Sequence, residues 1–190
     1  MSKAHALHHL TPEDYLAGER FSAVRHEFID GQIYAMAGAG ERHNRIALNA
    51  ALQLRLGARG GPCGVFMSDM KLYIAASNCF YYPDVMLTCD PKDNREYYKQ
   101  HPCLLIEVSS PSTAAVDRRE KWLAYKQLPG LRHYLIAAAD ERRVEIHYRD
   151  QDGMWQARML GDNEALPIRC AGFAAELSLA GLYEDVPGVG

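Results

Sequence analysis

An α/β fold, one mixed β-sheet flanked by helices, is what the order of elements in this chain of 190 residues predicts. Three observations carry that expectation: an amphipathic stretch from Glu41 to about Arg59, a succession of short apolar runs between Val65 and Val108, and a second helical stretch that returns the chain to an apolar run at Tyr134 to Ala138. Strand, crossover helix and returning strand make the sheet mixed, and this order disfavours a pure barrel or bundle.

Each element has its own signal. Thr11-Pro12-Glu13-Asp14 sets a capping residue before a helix-opening proline and two acids suited to the helix dipole, so a short helix should run to about Glu19, weakened near its end by Gly18. Asp30-Gly31 between apolar runs predicts a hairpin over Arg25 to Met36. Gly38-Ala39-Gly40 breaks the second strand. His43, Ile46, Ala47, Ala50 and Leu54 then recur on one face of the long helix, which Gly60-Gly61-Pro62 closes. Val65 to Met67, Leu72 to Ile74, Tyr82 to Leu87 and Cys103 to Val108 read as successive strands. A helix from about Ala114 to Gln127, ended by Pro129-Gly130, leads to strands at Tyr134 to Ala138 and Val144 to Tyr148. Trp155 to Leu160 should add a last pairing, and Phe173 to Leu182 a terminal helix. With no repeat, low-complexity segment or long linker, residues 1–190 read as a single domain with its core from about 11 to 183.

Composition bounds the function. The chain is 48% hydrophobic and 24% charged with a net charge of −3, which suits one soluble domain with a sizeable core. A sequence pI near 6.2 argues against coating nucleic acid through bulk charge but permits a local basic cleft. No apolar run approaches the roughly 18 residues of a membrane span and the first residues lack a signal-peptide pattern, so no membrane partner and a cytoplasmic location are expected. The five cysteines, Cys63, Cys79, Cys89, Cys103 and Cys170, are odd in number and widely spaced. That pattern disfavours a disulfide framework, a structural zinc site and cysteine catalysis.

Two carboxylates stand out. Asp84 precedes Val85, Met86 and Leu87, and Glu107 follows Leu104, Leu105 and Ile106, so both should lie beside a core, where an ionised acid needs a partner. A divalent cation is the simplest partner for two such acids.

In this order, Glu27 with Asp30-Gly31, His43, Pro83-Asp84-Val85, Glu107 to Thr113, Asp117 with Lys121 and Tyr125, and Pro129-Gly130 with Tyr134 resemble the PD-(D/E)XK nuclease superfamily. Within it they resemble the bacterial Uma-type family of proposed restriction endonucleases, over most of the chain. The resemblance implies a restriction-endonuclease-like fold and a magnesium- or manganese-dependent endonuclease that hydrolyses phosphodiester bonds of nucleic acid, DNA in the first instance. It implies Asp84 and Glu107 as metal ligands, with Glu27 and His43 assisting. Oxygen ligands suit magnesium, which stabilises phosphate charge and lowers the pKa of an attacking water. Double-strand cleavage is easier for a symmetric homodimer presenting two sites.

This chain departs from the superfamily pattern where a lysine should follow the second acid, because that position is Ser109. Lys121 on the following helix is the first replacement and Lys71 the second. Each residue also has a plainer role. Asp84 could be a polar strand start, and Glu107 could be held by backbone of the Ser109 to Thr113 turn. Lys121 could pair with Asp117, His43 could be a satisfied histidine beside the core, and Glu27 could pair with Arg25 or Lys71. Arg118, Arg119, Lys121 and Lys126 could touch phosphates or form a solvated mixed face with Asp117 and Glu120. The rival function is a nucleic-acid- or protein-binding module that kept the fold after losing the lysine.

Overall fold

The computed structural model describes residues 9–109 and 117–189, with backbone alone for 117 and 118. The Ser110-Pro111-Ser112-Thr113 turn and the expected helix start at Ala114 lie outside the described residues. Helix α1 (Pro12–Glu19) opens with the expected capping box, Asp14 N donating to Thr11 Oγ1 at 3.1 Å while Thr11 N donates back to Asp14 Oδ2. Strands β1 (His26–Ile29) and β2 (Gln32–Ala35) pair around Asp30 and Gly31, whose φ values of 45° and 88° are both left-handed, as a two-residue hairpin turn requires. A Cβ on Gly31 would also collide with the His9 ring.

Helix α2 (Glu41–Gly57) buries Ile46, Ala47, Ala50, Ala51 and Leu54, the stripe read from its period. There follow β3 (Gly64–Met67), β4 (Lys71–Ile74), β5 (Cys79–Tyr81), β6 (Val85–Thr88), β7 (Tyr98–Lys99) and β8 (Pro102–Ser109). A π-helical turn, Asp117–Lys121, runs into an α-helical turn, Trp122–Tyr125, and the two form α3. Then come β9 (His133–Ala138), β10 (Val144–Arg149), β11 (Trp155–Met159), β12 (Ala165–Cys170), β13 (Phe173–Ser178) and α4 (Leu179–Leu182). Among the described residues no helix is long and apolar enough to cross a membrane.

The strands divide into a six-stranded sheet, ordered β11-β10-β9-β8-β6-β3, a five-stranded sheet, ordered β2-β1-β5-β4-β7, and the hairpin β12-β13. The larger sheet is mixed because β8 and β9 run parallel across the α3 crossover while its other pairs are antiparallel. All eight residues of β8 are buried. Leu104, Ile106 and Val108 pack with Ile46, Ala50 and Leu54 of α2, whereas Leu105 joins Leu72, Tyr81, Tyr125 and Tyr134 on the opposite face. Strand alternation therefore puts Glu107 on the Leu105 side, between the two sheets.

Three expectations are corrected. Tyr82, Pro83 and Asp84 are a loop joining β5 to β6 rather than part of one strand, since proline cannot donate to a ladder. Phe173 to Ser178 is a strand, and only Leu179–Leu182 is helical. Phe173 and Leu177 stand four apart, which suits a helix and a strand equally, and Gly172 at φ 72° turns the chain back onto β12. Finally, Cys63–Cys89 and Cys103–Cys170 are disulfide-bonded, leaving Cys79 buried and free. Their partners are 26 and 67 residues apart and meet only because neighbouring strand ends converge, so no local spacing announces them.

His133, at the start of β9, illustrates the cost of this packing. Burial, helped by the Arg132 charge, holds its imidazole down to about 4, and its Nδ1 is buried without a hydrogen bond. The unfolded chain takes up this proton near pH 6.5 and the folded chain only near 4, so the stability present above pH 6.5 falls as pH drops through that window. Urea unfolding of wild type against His133→Gln should show wild type losing on the order of 3 kcal/mol more between pH 7 and pH 4.

Candidate active site

Four elements converge on the buried side chain of Glu107. β8 presents the acid, and α3 carries Lys121 and Tyr125, one helical turn apart and therefore on one face, over it. β1 contributes Glu27, and the loop before β6 brings Asp84 to the backbone of the residue after Glu107, Val108. Tyr125 donates its hydroxyl to Glu107 Oε1 at 2.6 Å, and Lys121 Nζ donates to the same oxygen at 3.3 Å. Lys121 Nζ also stands 3.2 Å from Glu27 Oε1, so one ammonium spans two carboxylates. That Glu27 oxygen is buried and accepts no hydrogen bond from the described residues, the lysine lying within ion-pair reach but outside hydrogen-bond geometry.

Asp84 is held separately. Val108 N donates to its Oδ2 at 2.8 Å, which ties the loop to the residue after Glu107, and His43 Nε2 lies 3.1 Å from the same oxygen. His43 sits in the first turn of α2, whose N-cap Gly40 offers no side-chain cap. The histidine thus joins the helix start to the acid.

The tyrosines around the group are held in their neutral form. Burial, then the Glu107 charge, pushes the Tyr125 hydroxyl far up, and burial together with Cys79 and Glu27 does the same for Tyr81 against the opposing effect of Lys121. The Tyr81 ring of β5 lies 5.9 Å from Lys121 Nζ and makes a T-shaped contact with Tyr125, so the five-stranded sheet meets the lysine through this ring as well as through Glu27.

All five expected site residues, Glu27, His43, Asp84, Glu107 and Lys121, are therefore linked through this network. Lys71 is not part of it: its ammonium faces the Tyr82 ring at 5.2 Å, and burial lowers its pKa against the pull of Glu19 and Asp69. Arg25 pairs with Asp69 at 2.8 Å, so Glu27 takes Lys121 instead of the partners expected in the hairpin. The side chains of Asp117 and Arg118 lie outside the described residues, while Arg119 and Lys126 are exposed. Two contributions had no role assigned from sequence: the hydroxyl of Tyr125, a residue of the family resemblance, and the Val108 amide. The Lys121-to-Tyr125 spacing could have revealed the first, but a backbone donor carries no sequence signal.

The donor chemistry, oxygen from carboxylates, suits a hard cation, although no three of these acids and His43 bring their ligand atoms within 4.8 Å of one another. Asp84 and Glu107 offer carboxylate oxygens, and Glu27 Oε1 is a buried oxygen lacking a hydrogen bond from the described residues. Mixed sheets around a crossover helix, with acids at the central strands and a lysine on that helix, define a protein of restriction-endonuclease-like fold. Residues 12–180 match the model of the Uma2 family, described as "Putative restriction endonuclease", and the chain belongs to that family. Two Synechocystis sp. proteins, both described as uncharacterized, are similar to it. One is 34% identical over 91% of this chain and 93% of its own length, the other 36% identical over 81% and 89%. In fold it resembles the crystal structure of a putative nuclease belonging to DUF820 from Anabaena variabilis, with a TM-score of 0.73, 14% identity, and coverage of 92% of this chain and 97% of that one.

Stability should expose the network. Removing Lys121 strands buried carboxylates, so Lys121→Met should lower the unfolding free energy by about 3 kcal/mol, and Tyr125→Phe by about 2 kcal/mol, in denaturant titrations.

Proposed function

We propose that this nuclease-family protein is a magnesium- or manganese-dependent DNA endonuclease that hydrolyses phosphodiester bonds in the cytoplasm. The observation that carries the reading is Lys121 Nζ placed 3.3 Å from Glu107 and 3.2 Å from Glu27, with Asp84 tied to the same strand as Glu107 through the Val108 amide: a cation and two acids in contact, and a third acid held one residue along β8. Asp84 and Glu107 would hold the metal, which would stabilise phosphate charge and make an attacking water more acidic.

The chain's own residues divide the remaining work. Val108 N and His43 fix the Asp84 carboxylate, and Tyr125 fixes Glu107, so both acids meet a cation without first reorganising. Lys121 takes the place of the lysine missing at Ser109. Its ammonium orients the attacking water and offsets charge gathering on the phosphate, and Glu27 holds that ammonium in position. Water's oxygen bonds phosphorus as the ester oxygen departs with a proton. A pair of such sites in a homodimer would cut both strands.

The test is cleavage of plasmid and single-stranded DNA with magnesium or manganese. Activity should vanish with a chelator and in Glu107→Gln, and fall at least about a hundredfold in Lys121→Ala. Loss of activity in folded Glu107→Gln with retention in Lys121→Ala would remove the lysine from the mechanism. Absence of both cleavage and metal binding in wild type would leave a binding module of the same fold.

A further inference from the structure

Four of the five cysteines form one cluster away from the acids. Cys63 precedes β3, Cys89 follows β6, Cys103 lies at the start of β8 and Cys170 ends β12. The Sγ atoms of Cys89 and Cys103 are 4.0 Å apart although each is bonded to a different partner, and Cys89, Cys103 and Cys170 bring their sulfurs within 4.8 Å of one another. Three sulfurs thus lie within ligand reach of one another, and the fourth, that of Cys63, is one disulfide bond from Cys89. In a tetrahedral site with zinc–sulfur bonds of about 2.3 Å, ligand sulfurs stand about 3.8 Å apart, close to the separation across this pair.

The surroundings suit thiolates. Cys89 and Cys103 are buried, and together with Cys170 they line a cleft of about 870 Å³ that Arg132, Arg149 and Arg169 also line. Asp90 lines it too, so the arginines outnumber the acid beside the sulfurs. A tetrathiolate holding one divalent zinc carries a charge of −2, which this basic rim offsets. The cleft gives small reagents a route to the sulfurs.

We propose that, in the reduced protein, Cys63, Cys89, Cys103 and Cys170 form a tetrathiolate zinc site that interchanges with the two disulfides. Two equivalents of a dithiol reductant supply four electrons and four protons, becoming two cyclic disulfides as the protein gains four thiols. Binding one zinc ion then releases four protons to solvent and forms four zinc–sulfur bonds. Either state ties the same strand ends together, by two covalent bonds or through one ion. Wide spacing in sequence, which argued against zinc, does not matter when strand pairing delivers the ligands: β3 and β6 pair Gly64 with Thr88, and β6 and β8 pair Thr88 with Pro102.

The full chain, reduced anaerobically and stripped of metal, would be titrated with cobalt(II) and then zinc. One equivalent of cobalt should produce the sulfur-to-cobalt charge-transfer and ligand-field bands of a tetrahedral thiolate, and one equivalent of zinc should abolish them. Zinc should also shield four thiols of wild type from alkylation while Cys79 stays apart from the site. Glu107→Gln and Cys79→Ser should titrate as wild type does. Cys103→Ser should weaken binding by more than the roughly 10–100-fold cost of losing an outer-shell partner. Missing bands in reduced wild type would overturn the proposal, as would bands lost in Glu107→Gln. If Cys103→Ser does not fold, the alkylation pattern of wild type decides: four shielded thiols support the site, and none refutes it.

Discussion

Glu107 is an ionisable group in a strand whose eight residues are all buried, and much of the architecture around it answers the demands of that charge. A carboxylate in such a place costs several kcal/mol unless it is paired and hydrogen-bonded. Lys121 and Tyr125 meet that need from α3, which can reach the strand because the crossover between parallel β8 and β9 lies over this face of the sheet. Lys121 in turn reaches Glu27 of the neighbouring sheet, so a single ammonium is shared between two carboxylates. The two sheets are thus joined through a polar cluster as well as through apolar contacts.

β8 separates two jobs by its pleat. Leu104, Ile106 and Val108 seal the face toward α2, where packing is apolar, while Leu105 and Glu107 face the side where the second sheet and α3 meet. Asp84 is coupled to the same strand through the Val108 amide, so a donor from one end of β8 fixes an acid that the neighbouring strand delivers. A shift of one residue in the β6–β8 register would put Glu107 against α2 and its apolar neighbours in the polar cluster.

Much of this was legible in the sequence because the signals were local. The capping box at Thr11, the Asp-Gly turn and the helical stripe from Ile46 to Leu54 each contain their own explanation. Asp84 and Glu107 could be singled out because acids inside apolar runs are costly wherever the chain goes. What escaped reading depended on distant partners. Nothing near Cys63 points to Cys89, since only the β3–β6 register joins them. The short strands β5 and β7 were missed because Cys79 to Tyr81 is three residues long and Tyr98–Lys99 only two. Phe173 and Leu177 fit two periods equally, and the hairpin with β12 decides between them. The choice of Lys121 over Lys71 likewise follows from tertiary placement, because both are buried lysines and only one reaches the acids.

Helix α3 is seated on the larger sheet by an aromatic stack. Trp122 lies against Tyr134 of β9 at 5.9 Å, His147 of β10 at 4.4 Å and Trp155 of β11 at 4.9 Å between ring centroids. Tyr134 also meets Tyr125 edge-on at 5.2 Å, so the ring stack and the Glu107 cluster share a wall. The chain has two tryptophans, and both belong to this stack. Its indole emission is therefore a spectroscopic label, already built in, for the seating of the lysine-bearing helix: lifting α3 would wet both fluorophores at once, while fraying at α1 or the first hairpin would leave them dark to the change.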